Sequence, residues 1–379
     1  MLLAKVGLAM DKAMNAYHED EDIIFNDLSR SKRFHYDPKY MLSLGWKNSN
    51  ICMYPGCDQS AVKASHTIQK SASLRSIAQD NHLLTPKFDY RREVMDLIPI
   101  GLNEASTFPG FCPGHEQLFG VYEDRKDLKE EEDFRLQLYR TICREIIANE
   151  RSLKSFVLRK SQYVTFRDET LNDMIRKEAI ALGVLPEQMK QFTHEYRDHR
   201  IRSLNAAIEE IKTNLLHLDV FYQEIFNDIR KAKIQKIFFQ VVGMDWVIPC
   251  ALAGRGEFIA QTRSKKVNVE VIINVIPYHD RTYVIIGTHH KMKEHLKSYL
   301  RRYTEHPMKM IAMIESWMLY GSDHWFLQPA VWWELAEVDK GLLIEEMFTK
   351  KNINELPPLP IFIGLRSQLN KMMNPSDQA

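Results

Sequence analysis

Charge of one sign is missing from this chain. Its 51 basic and 50 acidic residues leave a net charge of +1 over 379 residues. That excludes global attraction to nucleic acid or to an anionic membrane, so either would need a local patch. Long apolar runs are missing too. The stretch around Val269–Pro277 is far too short to span a bilayer, and no membrane partner is expected. The apolar opening, Met1–Met10, carries Lys5 and leads into Asp11 and Lys12 with no small-residue cleavage pattern, so it does not read as a signal peptide. Cysteine is scarce and odd in number, five in all. This argues against a disulfide framework and for a reducing, cytoplasmic compartment. There is no internal repeat at a solenoid period and no convincing Ser/His/Asp or Cys/His nucleophile set.

What is present falls into regions. Residues 1–125 are polar and irregular, opening with a possible amphipathic helix from Leu2 to Tyr17 and the acidic turn His18–Asp22. Residues 126–236 read as helical. Leu128, Phe134, Leu138, Ile142 and Ile146 recur at helical spacing, and Ile201, Leu204, Ile208, Ile211, Leu215 and Leu218 alternate three and four apart. Gly183 and Pro186 mark a break, which predicts several antiparallel helices, a bundle or hairpin. A heptad-like seam for self-association is the alternative. Residues 237–350 read as short strands, at Phe238–Val242, Trp246–Leu252 and Glu257–Ile259, with a further pair at Val267–Ile276 and Thr282–Ile286. Helices are expected over His295–Tyr303, Met308–Leu319 and Val331–Phe348. Residues 351–379, with Pro357-Pro358-Leu359-Pro360, read as a surface arm. The fold class expected is α+β and multidomain: a finger region, a central helical bundle or hairpin, and a C-terminal antiparallel sheet packed with helices.

Three of the five cysteines have metal-like spacing. Cys52 and Cys57 flank a Pro-Gly turn, and a knuckle of this kind aims two sulfurs at one point. Cys112 and His115 lie three apart where Glu116-Gln117-Leu118-Phe119 begins to look helical, so both fall on one helix face. Three thiolates and one imidazole make a zinc ligand set, and a knuckle plus a pair at a helix start is the arrangement of a treble-clef finger. The plain alternative is four buried side chains. Cys143, on an apolar helix face, and Cys250, in a strand, read as small core residues.

These four residues, with Ala64-Ser65-His66-Thr67-Ile68 downstream of the knuckle, resemble the finger of HNH-type nucleases over residues 50–120. The resemblance places His66 at the general base. It places Glu116 where the family has a metal-binding histidine, as a ligand for magnesium or manganese. It implies metal-dependent cleavage of nucleic acid phosphodiesters, on a plan shared with small bacterial defence or mobile-element nucleases. Ser65 departs from the family's usual acidic residue or second histidine, Cys112–His115 replaces a Cys pair, Asn103 is only a candidate for the family's asparagine, and the insert 69–107 is long. Read from the residues alone, His66 is as easily a group bonding the knuckle backbone, or a cap for a helix over Ser71–Gln79. Non-enzymatic binding or scaffolding, with a protein or ligand partner on the C-terminal domain, is the competing expectation.

Other candidates are weaker. Lys63, Lys70, Arg75, Lys87, Arg91 and Arg92, with Phe88 and Tyr90 among them, can line a phosphate backbone or form an ordinary solvated face. Thr288-His289-His290 lacks a cysteine or carboxylate partner nearby. Ser322-Asp323-His324-Trp325 lies in a tryptophan-rich stretch that either shapes a pocket or fills a core. Gly254-Arg255-Gly256 reads as a hairpin turn.

Overall fold

A computed structural model describes residues 4–17, 51–89, 94–185, 199–230, 235–261, 265–347, 349 and 351–373. The acidic turn at His18–Asp22 and the residues Tyr90, Arg91, Arg92 and Pro186 lie outside the described residues. In chain order the elements are α1 (residues 4–17), β1 (Ser65–His66), β2 (His82–Asp89), β3 (Val94–Gly101), β4 (Thr107–Phe108), α2 (Pro113–Arg125), α3 (Glu131–Ala181), α4 (His199–Ile229), β5 (Ile237–Met244), β6 (Cys250–Gln261), β7 (Lys266–Pro277) and β8 (Thr282–His289). There follow α5 (Lys293–Thr304), α6 (Pro307–Ser316), β9 (Trp325–Leu327), α7 (Pro329–Trp333), α8 (Glu337–Glu346) and α9 (Ile363–Met373). The class is α+β, and the chain divides into two compact units.

The smaller unit joins residues before 48 to residues 149–215. Val6, Ala9, Ala13 and Tyr17 are buried along α1, a stripe at the three-to-four spacing of one helix face. The first two cluster with Ala179 and Val184, whereas Tyr17 clusters with Leu171 and its hydroxyl lies 3.0 Å from that of Tyr163. The two ends of α1 therefore meet α3 in reverse order, so the helices run antiparallel. The expected break is present at Gly183, which ends α3 in the left-handed region at φ +76°.

The larger unit, residues 48–148 with 216–379, holds a seven-stranded antiparallel sheet in the order β3-β2-β9-β6-β7-β8-β5. In β7, Val269, Val271, Ile273 and Val275 enter a core with Met310, Ile314, Trp317 and Trp325. The alternate residues Ile272, Asn274 and Ile276 are buried as well, and Asn274 Oδ1 accepts from Gln137 and Thr141 of α3. A strand covered on both faces explains why this run does not alternate.

Several expectations change: the strand expected over Trp246–Leu252 begins only at Cys250, and the helix expected over Val331–Phe348 is two, Pro329–Trp333 and Glu337–Glu346. Gly254-Arg255-Gly256 is not a turn, because β6 runs unbroken from Cys250 to Gln261. A Cβ at Gly254 would lie 2.2 Å from Ser322 Oγ, and one at Gly256 2.4 Å from the Trp317 ring; the glycines admit the 317–322 turn against the strand. The insert 69–107 is a π-helical turn (Lys70–Leu74), a short helix (Arg75–Ile77) and the hairpin β2–β3, which joins the sheet through β9. The tail is not simply a surface arm: Ile353, Ile361, Phe362 and Leu369 are buried. It docks on Glu315, whose buried carboxylate accepts the amides of Ile361 (2.7 Å) and Phe362 (2.9 Å) and pairs with Arg366. Glu315→Ala should orphan those amides and cost about 3 kcal/mol. Limited trypsin digestion should then cut at Lys351 and Arg366 in the variant well before the parent.

Candidate metal centre

Cys52 and Cys57 meet because the chain between them is a tight turn. The Cys57 amide donates to the Tyr54 carbonyl (3.1 Å), Pro55 takes the second position, and Gly56 sits at φ +78° in the third, the residues a type II turn requires. The Cys52 amide bonds the Gln59 carbonyl at 2.8 Å and closes the knuckle. The second pair opens α2. Cys112 is the N-cap residue at φ −72°, ψ 164°, followed by Pro113, a pre-organised start. The knuckle is tied to this segment by Met53 N to Gly110 O (2.8 Å) and Val62 N to Phe111 O (2.7 Å). Antiparallel pairing of β1 with β4 places Ser65 opposite Phe108 and His66 opposite Thr107.

As a result the Sγ atoms of Cys52, Cys57 and Cys112 and a ring nitrogen of His115 lie within 4.8 Å of one another. Cys57 Sγ to Cys112 Sγ is 3.9 Å, and His115 Nδ1 lies 3.4 Å from Cys52 Sγ and 3.2 Å from Cys112 Sγ. A regular tetrahedron with arms of about 2.3 Å to sulfur and about 2.0 Å to nitrogen has edges of roughly 3.8 Å and 3.5 Å. The donor set fits a metal ion of that size and softness. The Tyr54 ring stacks on His115 at 3.9 Å, 8° from parallel, and holds the imidazole in place. Burial pushes the Cys52 thiol up to about 11. For Cys112 burial also pushes up, but the His115 and Gly114 amides and the neighbouring thiols prevail and its pKa falls. Among the described residues no other cluster of histidine, cysteine and carboxylate has this geometry. Cys143 and Cys250 are fully buried and are not among its four residues.

The two residues next to this shell are placed as follows. His66 is half-buried, with Nδ1 3.0 Å from the Ala105 carbonyl. Burial, followed by the cations Arg140 and Lys70, lowers its pKa against the opposing pull of Ala105 and Glu123, so the ring is neutral at pH 7. A neutral ring bonded to a carbonyl through Nδ1 carries its proton there and leaves Nε2 as an acceptor. Glu116 accepts from the Ser65 hydroxyl and from Arg140 Nη2 at 2.9 Å. Arg140 also reaches Glu123 Oε1 at 2.5 Å, and its guanidinium lies 4.3 Å from the centroid of the Phe119 ring. The Arg140 side chain is 2% exposed. Burial works against its charge, but Tyr122, Glu123 and Glu116 outweigh that and keep it protonated.

Arg140 and Glu123 are the residues that reading the sequence missed. The seven-residue spacing of Glu116 and Glu123 on one helix face was visible, but their partner lies on α3, and nothing local reveals it. The other candidates are placed as follows. Asn103 accepts from Lys70 at 3.2 Å. His289, expected to lack a carboxylate partner, has one in Glu224 of α4 at 2.6 Å. His324 Nε2 lies 3.1 Å from Ser106 Oγ, and burial holds its pKa well below the usual range. Lys63, Arg75 and Lys87 are exposed and Lys70 half-buried. No family model, curated protein or solved structure matches the chain.

Proposed function

We propose that the protein is a non-enzymatic binding scaffold in which a zinc ion, held by Cys52, Cys57, Cys112 and His115, fixes a treble-clef finger against the sheet domain that carries the partner. Zinc is favoured over other metals by the three sulfurs and one nitrogen and by the edge lengths between them. The observation that carries the scaffold reading is the ion pair of Arg140 with Glu116 and Glu123. A nuclease of HNH type needs Glu116 open to a magnesium or manganese ion. Here a buried guanidinium already neutralises it, and a divalent cation beside that guanidinium would meet like-charge repulsion at short range.

One observation favours the second reading, an HNH-like endonuclease acting on DNA or RNA. His66 is neutral, with Nδ1 committed to Ala105, the state in which Nε2 accepts a proton from water. The experiment that separates the two incubates the full-length, zinc-loaded chain with plasmid DNA and with single-stranded RNA in magnesium or manganese, beside His66→Ala. The scaffold reading expects no cleavage above buffer and no difference between the proteins. Cleavage by the parent that His66→Ala abolishes, with zinc content and folding intact, would install the nuclease in its place.

A further inference from the structure

The two edges of the seven-stranded sheet are built differently. At one end β3 carries Asp96 and Pro99 within Val94–Gly101, a charge and an imino acid of the kind that blunts an edge against further pairing. At the other end β5, Ile237-Phe238-Phe239-Gln240-Val241-Val242-Gly243-Met244, carries neither a charge nor a proline. All eight of its residues pair with β8, and among the described residues no strand pairs with its other side. Half of the backbone groups of an antiparallel strand point away from its partner, so β5 presents a regular row of donors and acceptors.

Beside that row runs a groove of about 250 Å³ lined by Gln240 and Val242 of β5 and by Lys297, Leu300, Arg301 and Thr304 of α5. The volume is below the range of cofactor and drug sites and suits one or two side chains. The flanking helix is basic: Lys293, Lys297, Arg301 and Arg302 stand against the single Glu294. Glu294 pairs with Lys297 at 3.2 Å in an exposed position, a contact worth little. Lys297 Nζ also lies 5.5 Å from the centroid of the Phe238 ring. Arg301 has no ion-pair partner among the described residues.

We propose that the β5 edge binds an extended acidic peptide segment of a partner protein, which adds an eighth strand and sets alternate carboxylates against Lys297 and Arg301. Backbone pairing supplies the affinity and alternate side chains the selection, as in other strand-addition interfaces. A second copy of this chain is disfavoured as the occupant, because two-fold pairing of β5 with β5 brings the two basic α5 helices side by side.

The test uses the full-length, zinc-loaded protein. A displayed library of random twelve-residue peptides is selected on it, and the enriched sequence is synthesised. The proposal expects acidic residues at alternate positions and amide exchange in residues 237–244 slowed at least roughly tenfold by the peptide. It also expects binding weakened at least roughly tenfold by the double variant Lys297→Glu, Arg301→Glu, with its thermal midpoint unchanged. Four results each overturn it: no enriched sequence, enrichment without acidic bias, protection elsewhere than β5, or protection of β5 by a twelve-nucleotide oligothymidylate. Slowing of β5 exchange by raised protein concentration alone also overturns it, in favour of a second copy.

Discussion

Cys112→Ser is expected to bring bound zinc below one per chain and to lower the thermal midpoint by on the order of 10 °C. Structural zinc contributes about 10–16 kcal/mol of apparent binding energy in small fingers, and serine is a poor substitute for thiolate. The effect reaches beyond the finger because the knuckle is built into the surrounding core. The Met53 carbonyl accepts from Tyr139 at 3.1 Å and also from Tyr222, and Tyr54 packs edge-on against Phe226. When the metal leaves, those hydroxyls lose their acceptor and the aromatic cluster loses one wall. Cys250→Ala is the control: it deletes a fully buried thiol outside the cluster, should cost roughly 1–2 kcal/mol, and should leave zinc at one per chain. Full zinc in Cys112→Ser by elemental analysis would sink the four-ligand assignment.

The second large effect is expected at Arg140. Removing one partner of a buried ion pair typically costs about 3–5 kcal/mol, because the remaining charge stays desolvated. Glu116 and Glu123 keep side-chain exposures of 23% and 30%, so about 3 kcal/mol is the figure to expect for Arg140→Ala, read from the urea midpoint. Adding Glu116→Gln and Glu123→Gln to that variant should recover much of the loss, since the like charges then vanish with the cation. The same variant separates the two functional readings by metal response. If Arg140 stands where a divalent cation would otherwise sit, millimolar manganese should stabilise Arg140→Ala and leave the parent unchanged. Manganese stabilisation of the parent itself would mean that Glu116 is open after all, and would revive the catalytic reading.

How much of this was legible depended on how local each cause is. The four cluster residues stand in two short segments whose turns, Pro55-Gly56 and the Pro113 helix start, can be read without knowing the rest of the fold. The apolar stripe of α4, of which Ile208 and Leu218 are buried and Ile201, Leu204, Ile211 and Leu215 half-buried, was equally local, being a matter of spacing. The hairpin β2–β3 was not, because its strand character is completed by β9, and Leu84 finds its partner in Leu327. The glycines at 254 and 256 misled for a related reason. Glycine marks a turn when the backbone bends and a close approach when another segment presses on the strand, and only the position of Trp317 and Ser322 tells which. Arg140 could not be assigned from sequence, since a buried arginine is defined by its partners rather than by its neighbours in the chain.

The pairing of β2 with β9 also sets an order of events during synthesis. Thr85 bonds the carbonyl of Trp325, 240 residues further on. At about 5–20 residues per second, the hairpin leaves the ribosome roughly 10–50 s before its neighbour in the sheet exists. Throughout that wait β2 has one satisfied side and one bare one. Pro86, on that strand and unable to donate to a ladder, is then a safeguard for the unfinished sheet against pairing first with the wrong strand.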